Sequence, residues 1–263
     1  MAIPGMTVGA TGLYAYSQQI SVVGNNIANI NTNGFKRSDV RFQDVLYQTL
    51  QQPGKSLNPT TNNGVGVQLG NGVQIASIRT IFEQGPLVPG LDFDVAVNGD
   101  GFFRVVDANG DVFYTRLGAF QPKGIGASGV VNIQTPSGPL QLDPPITLPG
   151  NNAPTTVSPF GVVQQGAFSA QIELTRFQNV DGLEQVGEQL FRATAAAGAS
   201  FTGTPGSNGF GALVHYALEG SNVQLTSELI ALILASQAFN LSSQAFVTGN
   251  EELLQAIALV QQV

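Results

Sequence analysis

Positions at the C-terminal end of the chain recur at alternating spacings of four and three, apolar but for three small polar residues: Leu225, Leu229, Leu232, Ser236, Phe239, Ser243, Phe246, Asn250, Leu253, Ile257 and Val260. That is the heptad pattern of a helix packed lengthwise against other helices. A second apolar line, through Ile230, Ile233, Leu234, Ala238, Leu241 and Ala245, widens the face. No charged residue lies between Glu228 and Glu251, so this helix is expected to be enclosed on several sides. The N-terminal end carries the same spacing through Met6, Gly9, Leu13, Tyr16, Ile20, Val23, Ile27 and Ile30, and the first charge in the sequence is Lys36. Two uncharged helices have more apolar surface than one pair can hide, which predicts pairing of the ends and self-association of the chain.

Between the ends the period changes to two. Val65, Val67 and Leu69, then Val73 and Ile75, then Leu91, Phe93, Val95 and Val97 alternate as strands do. Asn98-Gly99-Asp100-Gly101 and Asp107-Ala108-Asn109-Gly110 read as hairpin turns on either side of a strand at 102–106. Asn29, Asn31, Asn33 and Gly34 stop the first helix, expected over 7–31, and Ser221 or Asn222 is expected to cap the last one. The order is helix, connector, β domain, connector, helix, an α+β architecture. Its divisions fall at 1–34 for the N-terminal helix, 35–89 for an extended or β connector, and 90–193 for an antiparallel β-rich domain. A return connector follows at 194–220, and the C-terminal helix at 221–263. The two helices are expected to lie side by side.

Composition narrows the function. Only 10% of the 263 residues are charged and the net charge is −7. No Lys/Arg stripe exists to neutralise phosphates, so a nucleic-acid partner is excluded. There is no cysteine, hence no disulfide, thiolate metal site or thiol nucleophile. The N-terminus lacks a basic segment followed by a compact apolar core, so no cleaved signal peptide is expected. The apolar run at 229–235 is soon interrupted by Ser, Gln and Asn, so no membrane span is expected. Asp92, Asp94 and Asp100, and Asp107 with Asp111, lack the frame of a calcium loop. His215 is the single histidine, and a Ser-His-Asp triad would have to be built on it. Gly64-Val65-Gly66 is followed by no Lys-Ser/Thr pair and no helix. No catalytic residue, metal ligand or cofactor site is expected. The competing class, a secreted β-rich binding module or a hydrolase built on His215, rests on that one side chain.

The run Asn25-Asn26-Ile27-Ala28-Asn29-Ile30-Asn31-Thr32-Asn33-Gly34-Phe35-Lys36-Arg37 resembles the signature of the bacterial flagellar rod and hook axial proteins. The resemblance continues at Leu46-Tyr47-Gln48-Thr49 with Pro53-Gly54, at Asp94-Val95-Ala96-Val97-Asn98-Gly99-Asp100-Gly101-Phe102-Phe103, and at Tyr114-Thr115-Arg116-Leu117-Gly118. It returns at Leu218-Glu219-Gly220-Ser221-Asn222-Val223 and Glu251-Glu252-Leu253-Leu254-Gln255. It covers nearly the full chain, and the connector stretch implies a distal position in the rod, with a proximal-rod or hook position as the alternative. The last helix reads Ser236-Gln237-Ala238-Phe239 where the family commonly has Gln-Arg-Ala-Tyr/Phe, so an ion pair through that Arg does not carry over.

The resemblance implies a structural subunit of the basal body that assembles helically into a hollow drive shaft. Its implied partners are copies of itself, proximal rod proteins, hook subunits, the surrounding rings and the flagellar export apparatus. Residues expected to carry self-assembly are Leu13, Tyr16, Ile20, Val23, Ile27, Leu225, Leu229, Leu232, Phe239, Phe246, Leu253 and Ile257. The family motif maps onto Asn26, Ala28, Asn29, Thr32, Gly34, Phe35, Lys36, Ser221, Asn222 and Val223.

Overall fold

The computed structural model describes residues 4–51, 56–58, 61–62, 66–123, 128–135, 138–149 and 154–261. Val65, Pro53, Gly54 and Gly64 fall outside them. The fold is α+β, with a helix near each end and a β-rich middle. The chain separates into two compact units, Met1–Ala28, Ser38–Arg79 and Gln224–Val263 in one, Asn29–Arg37 and Thr80–Val223 in the other.

The first unit holds both helices. Helix α1 spans Pro4–Ala28, with proline at its first position, where the missing N–H is no loss. It ends three residues before the expected 31, because Asn29 and Asn31 favour turn conformations over helix. Helix α2 spans Leu225–Gln261. It starts later than expected: Ser221 and Asn222 lie upstream of it, and its first helical bond runs from Glu228 N–H to Gln224 C=O. The segment after residue 37 is extended. Ser38–Asp44 pairs with Val73–Thr80, Gln48–Gln51 with Val67–Leu69, and Ser56–Asn58 with Thr61–Asn62. These three pairs are nested in sequence, and Leu46 (88% exposed), Tyr47, Leu50, Val67 and Ile78 stand in solvent.

In the second unit, ten of the described strands form one sheet. Phe102–Val106 is its central strand. Val112–Thr115 lies along one edge, while Gly138–Leu142 and Leu174–Phe177 share the other. Alternation along these strands builds a core on each face. Phe103, Val105 and Phe113 join Leu142, Leu174 and Leu213 on one side; Phe102, Tyr114, Phe177 and Phe191 cluster on the other.

The two expected hairpin turns part company here. Asp107-Ala108-Asn109-Gly110 is a hairpin turn: Asp107 N–H bonds Asp111 C=O at 3.0 Å, and Gly110 adopts φ +89°. Asn98-Gly99-Asp100-Gly101 is not. Val95–Asn98 pairs with the distant Ala212–His215 rather than with Phe102–Val106. The four residues form a corner between two sheets, and Gly99 has no room for a side chain, since a Cβ there would sit 2.9 Å from Gly211 Cα.

Candidate functional site

In the helical unit α1 and α2 run antiparallel and very close. A Cβ added to Gly9 would come within 3.0 Å of the Phe246 backbone, one on Gly12 within 2.8 Å of Ser242 Oγ, and one on Gly249 within 2.9 Å of Met6 Cγ. Glycine and small residues allow this approach, at a cost in intrinsic helix propensity of about 1 kcal/mol per glycine. The buried seam on α1 is Gly9, Gly12, Ala15, Val23 and Asn26, and on α2 it includes Glu228, Ala235 and Gly249.

Leu13, Tyr16, Ile20 and Ile27 are half-buried beside this seam, Val23 lies in it, and Leu232, Phe239, Phe246 and Leu253 are half-buried along α2. The in-chain seam therefore departs from the line expected for α2 at every second position. It runs through 228, 235, 242 and 249 rather than 229, 236, 243 and 250. Leu225, Leu229 and Ile257, expected on the seam, are exposed. With them Ile230, Ile233 (68% exposed), Leu234, Leu241, Val247 and Leu254 make an apolar outer face along the whole helix. By length and composition alone Leu225–Gln255 is also apolar enough to cross a membrane, although Ser236, Gln237, Asn240 and Gln244 interrupt it.

Two polar side chains, Asn26 and Glu228, are sunk between the helices among the described residues. Asn26 donates from Nδ2 to Ser38 C=O and accepts at Oδ1 from Ser38 N–H, both at 2.9 Å. Its amide thus pairs with the backbone as a neighbouring strand would. Nδ2 also donates to Glu228 Oε2 at 3.2 Å. Glu228 stands in the first turn of α2, where a carboxylate is favoured by the helix dipole.

The β unit contains a second, ionic cluster. Lys36 Nζ donates to Glu219 Oε1 at 2.6 Å and to Glu83 C=O at 2.7 Å, with both charged side chains fully buried. Glu219 Oε1 also accepts from Gly85 N–H at 2.9 Å, and its Oε2 lies 3.6 Å from the Arg116 guanidinium. Arg116 bonds Gly99 C=O at 2.8 Å and stands over the Phe102 ring at 5.1 Å. Burial pushes the Lys36 ammonium below its ordinary range against the pull of Glu219, with Arg116 adding to the push. Burial lowers Arg116 likewise, against Glu219 and Asp100.

The remaining motif residues secure the strands around this cluster. Asn222 accepts from Arg37 N–H at 2.8 Å and donates to Ile81 C=O at 2.7 Å and Glu83 C=O at 3.1 Å. Ser221 Oγ accepts from Val223 N–H, and Val223 is buried. Thr32 Oγ1 donates to Asn29 Oδ1, and Phe35 N–H closes a turn onto Thr32 C=O. Gly34 takes φ +74°, donates its N–H to Glu219 C=O at 2.7 Å and has Leu117 3.2 Å from where a Cβ would stand. Phe35 is half-buried and Ala28 exposed.

Sequence reasoning missed Glu219, Arg116 and Glu228 as members of these clusters. A signal existed: each is a lone charge in an apolar or small-residue run, in a chain where charges are scarce. His215 Nε2 is 2.7 Å from Asp92 C=O and its ring lies 3.9 Å from that of Tyr216.

The helical unit carries an apolar face in solvent, and the polar clusters of both units fix chain segments rather than a ligand, the features of a structural protein. Residues 6–36 match the family profile described as flagella basal body rod protein, and 215–259 the flagellar basal body rod FlgEFG protein C-terminal profile. Residues 96–165 match the flagellar hook protein FlgE/F/G D1 domain. The first profile ends on Lys36 and the second spans Glu219, so each contributes one partner of the buried ion pair. The chain is 39% identical to the flagellar basal-body rod protein FlgG of Caulobacter vibrioides, covering 94% of this chain and 95% of that one. It is 34% identical to the FlgG of Borreliella burgdorferi (93% and 94% covered), and 33% identical to the rod protein FlgF of Caulobacter vibrioides (88% and 87% covered). The chain belongs to the flagellar basal-body rod protein FlgG family.

Proposed function

We propose that this chain is a structural, non-enzymatic subunit of the distal rod, assembling helically with its own copies into a hollow shaft that transmits torque and conducts exported subunits. In this reading 1–34 and 221–263 form an inner coiled-coil domain, 35–89 and 194–220 the connecting layer, and 90–193 an outer domain facing the basal-body rings. Proximal rod proteins and hook subunits are the axial neighbours. The chain reaches the basal body through the flagellar export apparatus.

The observation that carries the reading is the outer face of α2. Leu225, Leu229, Ile230, Ile233, Leu234 and Leu241 stand in solvent in the single chain, with no charge between Glu228 and Glu251 to hold water. Burying such side chains is worth about 1.5–3 kcal/mol each when complete. A bilayer would satisfy the face by length, but Gln237, Asn240 and Gln244 interrupt it and family membership favours protein neighbours. The test is sedimentation of the full chain against an Ile233→Glu/Leu241→Glu variant. Both positions are exposed in the subunit, so the variant should fold with an unchanged urea midpoint and lose sedimentable polymer. Polymer formed at the wild-type concentration by that variant overturns the reading.

A further inference from the structure

The ionic cluster in the β unit opens onto a pocket. It has a volume of about 370 Å³ and is walled by Phe82, Phe102, Phe177 and Val180, with Arg116 and Arg176 among its polar lining. Arg116 is 3% exposed, and its Nε has no hydrogen-bond partner. Among the buried ionic groups of this cluster two cations, Lys36 and Arg116, share one carboxylate, Glu219, whose Oε2 is also without a hydrogen bond. The buried part of the site thus carries an uncompensated positive charge, which a low-dielectric surround makes costly unless an anion completes it. Asp100 and Glu83 also line the pocket, but both are exposed; Asp100 is 76% exposed and 4.0 Å from Arg176. Solvent screens such carboxylates strongly.

A second hollow of about 490 Å³ shares Arg176, Phe177 and Gln178 with the first, and adds Phe201 (59% exposed) and Phe210. Arg176 stands where the two meet, its guanidinium 5.7 Å from the Phe210 ring. The result is a groove with aromatic walls and guanidinium groups between them, a combination that suits a carboxylate borne on an apolar body.

We propose that this groove is a carboxylate-binding site that receives an acidic side chain, with its apolar neighbour, from a second copy of this chain. The copy is the occupant because the chain is itself acidic, with 17 Asp and Glu against 10 Lys and Arg, and a helical polymer brings copies together at high local concentration. This part rests on the assembly reading above.

Two measurements test it on the full chain. Under conditions that keep the chain dispersed, saturation-transfer NMR with N-acetyl-phenylalanine should show binding by the carboxylate and none by the neutral N-acetyl-phenylalaninamide. Binding should be lost in Arg176→Gln and in Gln178→Trp, which fills the groove from an exposed position. In sedimentation, Arg176→Glu should raise the concentration needed for assembly about tenfold, a change of about 1.4 kcal/mol, while Arg176→Lys stays within twofold and urea midpoints hold. Equal binding of acid and amide overturns the site. Selective carboxylate binding without any assembly defect overturns the second copy as its source. A wild-type chain that never polymerises refutes the assembly reading instead, and the NMR result still decides the site.

Discussion

Replacing Lys36 with Met is the sharpest single perturbation of the β unit. The ammonium makes two short hydrogen bonds, to Glu219 Oε1 at 2.6 Å and Glu83 C=O at 2.7 Å, in a site that excludes water. Methionine fills much the same volume but leaves the Glu219 carboxylate with only the Gly85 N–H at 2.9 Å and Arg116 at 3.6 Å. Breaking a buried pair from one side in this way costs about 3–5 kcal/mol. Glu219→Gln keeps an acceptor for Gly85 but strands two cations, and the same range applies. If the pair is the cause, the double variant loses less than the two single losses combined, by a coupling energy of up to about 3 kcal/mol. Urea denaturation of the dispersed chain measures all three, with unchanged slope as the sign that the unfolded state is not altered. Because the groups are buried, raising salt to 1 M should leave the wild-type midpoint's dependence on this pair intact. A loss below about 1 kcal/mol for Lys36→Met, or strict additivity, refutes the reasoning.

Gly24 and Gly9 make a matched pair in α1: nothing lies within 4 Å of a Cβ at Gly24, whereas Gly9 abuts the Phe246 backbone at 3.0 Å. Gly24→Ala should therefore stabilise by about 1 kcal/mol through helix propensity, and Gly9→Ala should destabilise by about 1–3 kcal/mol through overpacking, both read from urea midpoints. Asn26→Ala leaves the Ser38 N–H and C=O and Glu228 without their partner, so a loss of about 3 kcal/mol is expected; Asn26→Asp should do no better, because it sets a second carboxylate beside Glu228. The Lys36 pKa is lowered on folding from its ordinary 10.5, so its charged form is disfavoured in the native state below the lowered value. That penalty fades as pH rises through the lowered value toward 10.5, so the urea midpoint of the wild type should rise relative to Lys36→Met over that interval; a falling difference contradicts the sign.

Period was the legible part of this sequence, and partner choice was not. The heptads located both helices, and positions 232, 239, 246 and 253 do lie along the inner side of α2. The alternate positions Leu229, Ser236, Ser243 and Asn250 lie one residue off the buried column, because a 4-3 spacing alone does not fix which of two adjacent columns faces the partner helix. The helices instead close on Ala235, Ser242 and Gly249, where smallness permits the nearest backbone approach. Local turn chemistry was equally one-sided. Asn98-Gly99 and Asn109-Gly110 look alike, yet the first turns a corner because the strand before it pairs with residues more than a hundred positions away. Lys36 and Glu219 are 183 residues apart, and nothing within either segment announces the other. The cap expected at Ser221 or Asn222 failed for a related reason: Asn222 is committed to the strands at Arg37, Ile81 and Glu83, and the helix begins only beyond it.

The central claim is that the solvent-facing side of α2 exists to be covered by other copies of the chain. A cryo-electron microscopy reconstruction of the assembled polymer, at a resolution that shows side chains, measures this directly. The account predicts Ile230, Ile233, Leu234 and Leu241 buried against helices of neighbouring subunits, in place of the exposure each has in the single chain. A polymer held together by other surfaces, with these four side chains still facing water, contradicts it.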